Sequence, residues 1–351
     1  MTAPLLSFED YLRQPPEARM THYVREGRLY HVMLPQQFEE PLMEKLFDTA
    51  DLIKEITRKS NGSGFLKSVL RHKKAMLYFT QPSTRTFLSF LAACQLVGID
   101  TAEVRDPSLS SEYKGESQED GVRVFSSYFD CIVMRDPKPG FCEYMAYLLD
   151  ATGRSVPILN GGSGKDQHPT QALLDLYTMH RSFLNRGGLR KKRYAFVGDL
   201  LRGRAVRSSV YLLSQFQDLE FHFVAPAAFQ IAPDLEDHLK TLGISYQLSE
   251  DLESVLPEMD CVYMTRLQDE YDLSGESQLV DYSRYSLDLE KVQKMKQDSI
   301  ILHPLPRRDE IHPEVDADPR AVYWRQLRNG MYLRAALLLH VFGAAHRLQE
   351  Y

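Results

Sequence analysis

Hydroxyl residues, arginines and a histidine recur along this chain in short stretches of a kind that could hold an anion and stabilise developing negative charge. Ser83-Thr84-Arg85-Thr86 follows the apolar run Ala75 to Phe79 and precedes a helical pattern whose apolar face is Phe87, Leu88, Leu91, Cys94 and Leu96. Pro82 stops extended pairing, Ser83 and Thr84 suit an N-cap, and Gly98 stands where a C-terminal cap belongs. A strand that passes into a helix through small hydroxyl residues aims several backbone N–H groups at one spot, where the helix dipole favours an anion. Arg85 adds a bidentate fork suited to phosphate. Taken alone, the stretch reads equally well as a capped helix with a solvated arginine.

Further stretches tip that balance. They are Met134-Arg135-Asp136, Gln167-His168-Pro169-Thr170-Gln171, Thr265-Arg266-Leu267-Gln268, His303-Pro304-Leu305-Pro306 and the glycine-containing turn Gly198-Asp199-Leu200-Leu201-Arg202-Gly203-Arg204. Each has a bland reading: Arg135 paired with an aspartate, His168 capping a helix, Pro304 and Pro306 shaping a turn. Their common position at predicted strand ends, where open parallel sheets bind ligands, favours a shared site.

The elements that must position these residues follow from periodicity. Ala75–Phe79, Thr101–Val104, Cys131–Met134 and Val156–Leu159 read as strands, alternating with helices at Thr84–Val97, Ser117–Phe129 and Phe141–Leu149. Gly161-Gly162-Ser163-Gly164 breaks the pattern, and a long helix is expected at His168–His180. A second alternation runs through strands Tyr194–Val197, Phe221–Ala225, Cys261–Thr265 and Ile300–Leu302, with helices at Ala205–Phe216 and Leu252–Leu256, to a buried helix Tyr332–Phe342. An earlier helix opens at Pro41 and closes before Asn61-Gly62-Ser63-Gly64. The fold class expected is therefore α/β, with parallel sheets covered on both faces by helices. The expected domains are residues 1–165, to which residues 330–351 return, and residues 166–329. Residues 1–40 are expected to be an N-terminal extension wrapped on the surface.

Composition narrows the function. At 351 residues the chain exceeds one typical core, so two domains are the prior. A formal charge of -6 argues against a nucleic-acid partner, which demands a basic face. Cys94, Cys131, Cys142 and Cys261 lie far apart in apolar segments, with no zinc spacing, and are expected to be reduced core residues of a cytoplasmic protein. No apolar run approaches membrane-spanning length, and Glu9 and Asp10 stand where a signal sequence would be apolar.

Ser-Thr-Arg-Thr, His-Pro-Thr-Gln, Thr-Arg-x-Gln and His-Pro-Leu-Pro-Arg, in this order and at these separations, resemble the aspartate/ornithine carbamoyltransferase family, on its aspartate-using side. The likeness runs from about Pro41 to Gly343. It implies two doubly wound parallel-sheet domains joined by two long helices, the first binding carbamoyl phosphate and the second aspartate. It also implies transfer of the carbamoyl group to the α-amino group of aspartate in pyrimidine synthesis, without metal or organic cofactor, by a homotrimer with shared active sites. A regulatory chain or another pyrimidine enzyme as partner is left open.

The resemblance assigns the phosphate to Ser83, Thr84, Arg85 and Thr86, with Arg135 and Gln171 beside it, and the carbonyl oxygen to Thr86, Arg135 and His168. His168 suits a donor to a developing oxyanion better than a nucleophile, because no Ser or Cys partner is indicated. Ser110 and Lys114 match the loop that reaches a neighbouring subunit's site. Pro304 and Leu305 complete the carbamoyl phosphate set, and the Leu305 carbonyl would accept a hydrogen bond from the attacking amine, a cis Leu305–Pro306 bond being one way to aim it. Arg204, Arg266 and Gln268, with Lys114 and Leu305, match the aspartate-binding positions. Ornithine-specific relatives usually carry His-Cys-Leu-Pro where this chain has His303-Pro304-Leu305-Pro306. Two positions depart from the family: Phe87 and Tyr271 stand where arginines are usual, the first bearing on packing and the second on the distal carboxylate. The rival readings are a transcarbamoylase for another amine and a silent scaffold subunit. A dinucleotide-binding dehydrogenase is disfavoured, since no Gly-x-Gly-x-x-Gly follows a strand.

Overall fold

The apolar runs that read as strands form two parallel sheets in a computed structural model that describes residues 5–106, 115–164, 167–268 and 280–351. Ser110, Lys114 and Tyr271 lie outside the described residues. The chain divides into two compact units, Met1–Thr170 with Asn329–Tyr351, and Gln171–Arg328. The divisions fall inside two helices, Pro169–Phe183 and Tyr323–Val341.

In the first unit, β1 (Lys74–Phe79), β2 (Asp100–Val104), β3 (Cys131–Asp136) and β4 (Ile158–Ser163) lie in the order β2-β1-β3-β4. All their pairings are parallel. Every β3 and β4 residue is buried: β3 is flanked by strands on both sides, and β4, at the edge of the sheet, has Val32 of the N-terminal segment paired along it. The helix after β1 runs Thr84–Val97 and ends on Gly98, which adopts the left-handed conformation (φ 84°) and donates its N–H to the Cys94 carbonyl. A Cβ at Gly98 would fall 1.8 Å from the Lys67 carbonyl oxygen, so only glycine fits there. Phe87 is buried, edge-on to the Phe79 ring at 5.5 Å and beneath the Arg105 guanidinium.

Two expectations for this unit are corrected. Strand β4 does not stop before the glycines: it runs through Ser163, and its register with β3 shifts between the pairs Met134/Asn160 and Asp136/Ser163. Gly161 and Gly162 thus form a bulge, with Gly162 at φ 116°. Residues 1–40 are not a surface wrapping either. Tyr11, Tyr23, Met33 and Leu34 are buried in the same core cluster as Phe141, Tyr144 and Met145 of the helix Phe141–Ala151. Val32 bridges Leu159 in parallel, with backbone bonds to Ile158 and Asn160. Phe8, Tyr11 and Tyr23 belong to the apolar cover of that helix, spaced without a period because the first two share a five-residue helix and Tyr23 precedes a small hairpin.

In the second unit, β5 (Arg193–Val197), β6 (Glu220–Val224), β7 (Ser245–Ser249), β8 (Cys261–Met264) and β9 (Ile300–Leu302) lie in the order β9-β8-β5-β6-β7, again all parallel. Edge strand β7 and the helix Pro233–Thr241 before it escape the apolar pattern: Ser245, Gln247 and Leu248 are exposed on the edge strand, and the helix buries only Leu235 and Leu239. The last helix begins at Tyr323 rather than Tyr332: its early turns hold Arg325, Gln326, Arg328 and Asn329, whose polarity hides the helical period. The four cysteines are free and buried. Among the described residues no helix is long and apolar enough to cross a membrane.

Candidate active site

Arg135 is the penultimate residue of strand β3, and the bulge in β4 makes room for it. Arg135 is only 7% exposed, and its guanidinium donates from one terminal nitrogen to the Gly161 carbonyl at 3.0 Å. A Cβ on Gly162 would lie 2.5 Å from that nitrogen and 3.4 Å from the His168 ring, so the glycine sits between the two side chains. His168, 5% exposed, places Nε2 3.4 Å from Oγ1 of Thr86, a residue 6% exposed. One cation and two polar side chains from a strand, a loop and a helix first turn therefore converge within the first unit. Burial makes that convergence informative, since buried polar groups need partners or a function.

The surrounding backbone fixes this arrangement. Thr80 donates from backbone and hydroxyl to the Arg135 carbonyl, and its hydroxyl also reaches Asp136 at 2.6 Å. Asp136 further accepts from Gln118 at 3.1 Å and from the Lys138 N–H at 2.8 Å. Asn160 accepts the Gly162 N–H at 2.8 Å and donates to the Met33 carbonyl at 3.1 Å, so the N-terminal segment supports the bulge. Ser83 is the N-cap of the helix Thr84–Val97, but its side chain makes no capping bond. Thr84 and Arg85 are exposed on the first turn.

The second unit carries its polar groups on loops. Arg204 opens the helix Arg204–Leu213 and is half-buried. Arg266 and Gln268 follow β8, also half-buried, with the Arg266 guanidinium donating to the Leu267 carbonyl at 2.7 Å. A fully buried carboxylate, Asp199, ties these loops together: it accepts the Arg202 N–H at 3.1 Å and the Gln268 N–H at 3.2 Å. Gly198, at φ 114°, brings the β5 end so close to Thr265 that a Cβ would fall 2.2 Å from the Thr265 carbonyl oxygen.

The turn after β9 has a cis Leu305–Pro306 bond and holds Leu305 at φ 55°, a region that leucine rarely adopts. The Leu305 N–H donates to His303 Nδ1 at 2.7 Å, which puts the ring proton on Nε2, 2.7 Å from Glu310. Burial works to raise the Glu310 carboxyl, but the hydrogen bonds it accepts from His303 and from the Arg308 N–H bring it below its usual value. Pro304 and Leu305 are half-buried. Gln171 donates to buried Asp175 at 2.8 Å. Sequence reasoning missed Asp175, Asn160, Asp199, Glu310 and Gln326 as organisers. Asp199 stood inside a stretch already singled out, whereas Gln326 lies in the polar early turns that hide the period of its helix.

Comparison with known proteins adds an independent line. Residues 30–181 match the family model described as aspartate/ornithine carbamoyltransferase, carbamoyl-P binding domain, and residues 190–341 match its Asp/Orn binding domain. The chloroplastic aspartate carbamoyltransferase of Arabidopsis thaliana is 39% identical over 323 residues, covering 91% of this chain and 79% of that protein. The aspartate carbamoyltransferase catalytic subunit of Alkaliphilus metalliredigens is 40% identical over 309 residues, covering 88% of this chain and 95% of its own length. Among solved structures, the catalytic subunit of M. jannaschii aspartate transcarbamoylase superposes with a TM-score of 0.79 at 36% identity, over 90% of this chain and 98% of that one. Aspartate transcarbamoylase from Trypanosoma cruzi, in complex with N-(phosphonacetyl)-L-aspartic acid, gives 0.78 at 33% identity, over 89% and 95%.

Proposed function

The chain belongs to the aspartate/ornithine carbamoyltransferase family, and from that premise we propose that it transfers the carbamoyl group of carbamoyl phosphate to the α-amino group of L-aspartate. The products are N-carbamoyl-L-aspartate and phosphate, in a step of pyrimidine synthesis. The observation that carries the reading is the buried cluster of Thr86, Arg135 and His168 about Gly162. Attack by an amine on the carbamoyl carbon forms a C–N bond and builds negative charge on the carbonyl oxygen. The C–O bond to phosphate then breaks, and the nitrogen gives up one proton. Donors already fixed around that oxygen stabilise the charge without reorganising, and a preorganised site of this kind supplies most of a rate enhancement.

In this proposal Ser83, Thr84, Arg85 and Thr86 bind the phosphate through the helix N-terminus, with Arg135 and Gln171. Arg135, Thr86 and His168 hold the carbonyl oxygen. Arg204, Arg266 and Gln268 take the aspartate carboxylates, because bidentate arginine matches each one. The Leu305 carbonyl, aimed by Pro304 and Pro306, accepts from the attacking amine. The first unit is thereby the carbamoyl phosphate domain and the second the aspartate domain.

Two finer points belong to the same proposal. A homotrimer follows if Ser110 and Lys114 serve a neighbour's site; mixing Arg85→Ala and Lys114→Ala chains should then restore part of the activity, and verified mixed trimers without recovery would exclude sharing. A cytoplasmic location suits four free, buried thiols. The acceptor is tested by supplying carbamoyl phosphate with aspartate, ornithine, putrescine or N-acylated ornithines. Aspartate alone should be carbamoylated at an appreciable rate; preference for any other amine would overturn the assignment.

A further inference from the structure

We propose that Asp175 and Gln326, both buried in the second unit, are positioning residues that lock three segments of that unit into one register; this rests on the carbamoyl-transfer reading above. Asp175 is fully buried on the helix Pro169–Phe183, one turn beyond Gln171. Its Oδ1 accepts from Gln171 Nε2 at 2.8 Å and from Gln326 Nε2, and its Oδ2 accepts from the Tyr263 hydroxyl at 2.7 Å. Each donor comes from a different segment. Gln171 belongs to the proposed phosphate set, Tyr263 lies on β8 just before Arg266 and Gln268, and Gln326 lies on the helix Tyr323–Val341.

Gln326 carries the connection one step further. Its Oε1 accepts the His303 N–H at 3.2 Å, and His303 Nδ1 in turn accepts the Leu305 N–H at 2.7 Å. A leucine at φ 55° holds that conformation only when its surroundings impose it, and this hydrogen bond is one imposing contact. The amide of Gln171 is planar, so fixing one N–H on Asp175 also fixes the directions of its second N–H and its carbonyl. One carboxylate thus sets Gln171, supports the strand that leads to the carboxylate-binding residues, and reaches the turn whose carbonyl receives the amine. Bonds from three donors to one buried carboxyl group are directional and mutually reinforcing, which suits alignment.

A core that merely stabilised the unit could contain the same bonds, so the test separates alignment from stability. Gln326→Leu keeps the side-chain bulk and removes both bridges; Tyr263→Phe keeps the ring and removes one donor. Competent sites are counted by titration with N-(phosphonacetyl)-L-aspartate, and kcat is expressed per titrated site. We expect kcat per site to fall about 10²-fold in Gln326→Leu and to fall less in Tyr263→Phe, with KM for aspartate raised in both. A kcat per site within about twofold of the parent in both variants, with only the melting temperature lowered, would overturn the proposal. Should Gln326→Leu not fold, Tyr263→Phe decides alone on the same criterion. Failure of the carbamoyl-transfer reading is recognised separately, because the unaltered protein would then use a different acceptor or none.

Discussion

The two units hold their polar groups by opposite means. In the first, Arg135 is a strand residue, Thr86 lies in a helix first turn, and a bulge at Gly161 and Gly162 sets the space between Arg135 and His168. In the second, Arg204, Arg266 and Gln268 sit at loop–element junctions, and the buried carboxylate of Asp199 fastens the loops by their backbone N–H groups. Backbone ladders resist displacement more than loops held by a few side-chain bonds. The difference suits the proposed chemistry. Every member of such a family must stabilise the same carbamoyl transfer, whereas the acceptor differs among them, so the common step belongs in regular structure and the acceptor contacts on loops.

The comparison breaks most visibly in the first unit. His168→Ala should lower kcat by about 10²–10³-fold while the melting temperature changes little, as removal of one oxyanion donor does elsewhere. Steady-state kinetics beside calorimetry checks this; a loss confined to KM would assign His168 to ground-state binding instead. Gly162→Ala should cost about 10²-fold, because its methyl would meet the Arg135 guanidinium and φ 116° disfavours any side chain. An active Gly162→Ala enzyme would show that the bulge does not control Arg135.

Smaller effects sharpen the contrast. In Asp199→Asn one of the two acceptors becomes a donor facing a backbone N–H, so the loops bearing Arg204 and Gln268 loosen. KM for aspartate should rise about tenfold with carbamoyl phosphate affinity unchanged. Equal weakening of both substrates would deny that Asp199 serves the acceptor side. The smallest effect concerns acid. Burial lowers His31 below its ordinary 6.5, although Asp150 works against the shift. The unfolded chain then takes up the proton first, so the contribution to stability is complete above about pH 6.5 and is lost as pH falls below it. The melting temperature should drop between about pH 7.5 and 5.5, less steeply in His31→Gln; an unchanged slope would remove His31 from the account. Because His31 Nδ1 accepts the Ile158 N–H at the start of β4, that loss would fall on the first unit.

What the sequence made legible was what local pattern encodes. The helix Thr84–Val97 and its glycine cap stand where periodicity and punctuation put them, as do β1 and β9 within a residue. The candidate residues at strand ends followed from the rule for open parallel sheets. What stayed hidden depends on partners far along the chain. Asp199 meets the Gln268 N–H across 69 positions and Tyr263 meets Asp175 across 88, and no spacing announces either bond. The β4 bulge looked like a chain break because Gly161-Gly162 carries no strand propensity; pairing with β3 overrides that preference. Residues 1–40 misled because, of their buried aromatics, Tyr11 lies on a five-residue helix and Tyr23 and Phe38 lie outside any helix or strand, so no period shows.

The central proposal is that the buried cluster of the first unit serves carbamoyl phosphate and the arginines of the second serve aspartate. Calorimetric titration with N-(phosphonacetyl)-L-aspartate measures it directly in the unaltered protein, Arg135→Ala and Arg266→Ala. One molecule should bind per chain, and each substitution should weaken binding at least about tenfold, as loss of a charge-assisted contact does. Binding that ignores either arginine, or no binding at all, would contradict it.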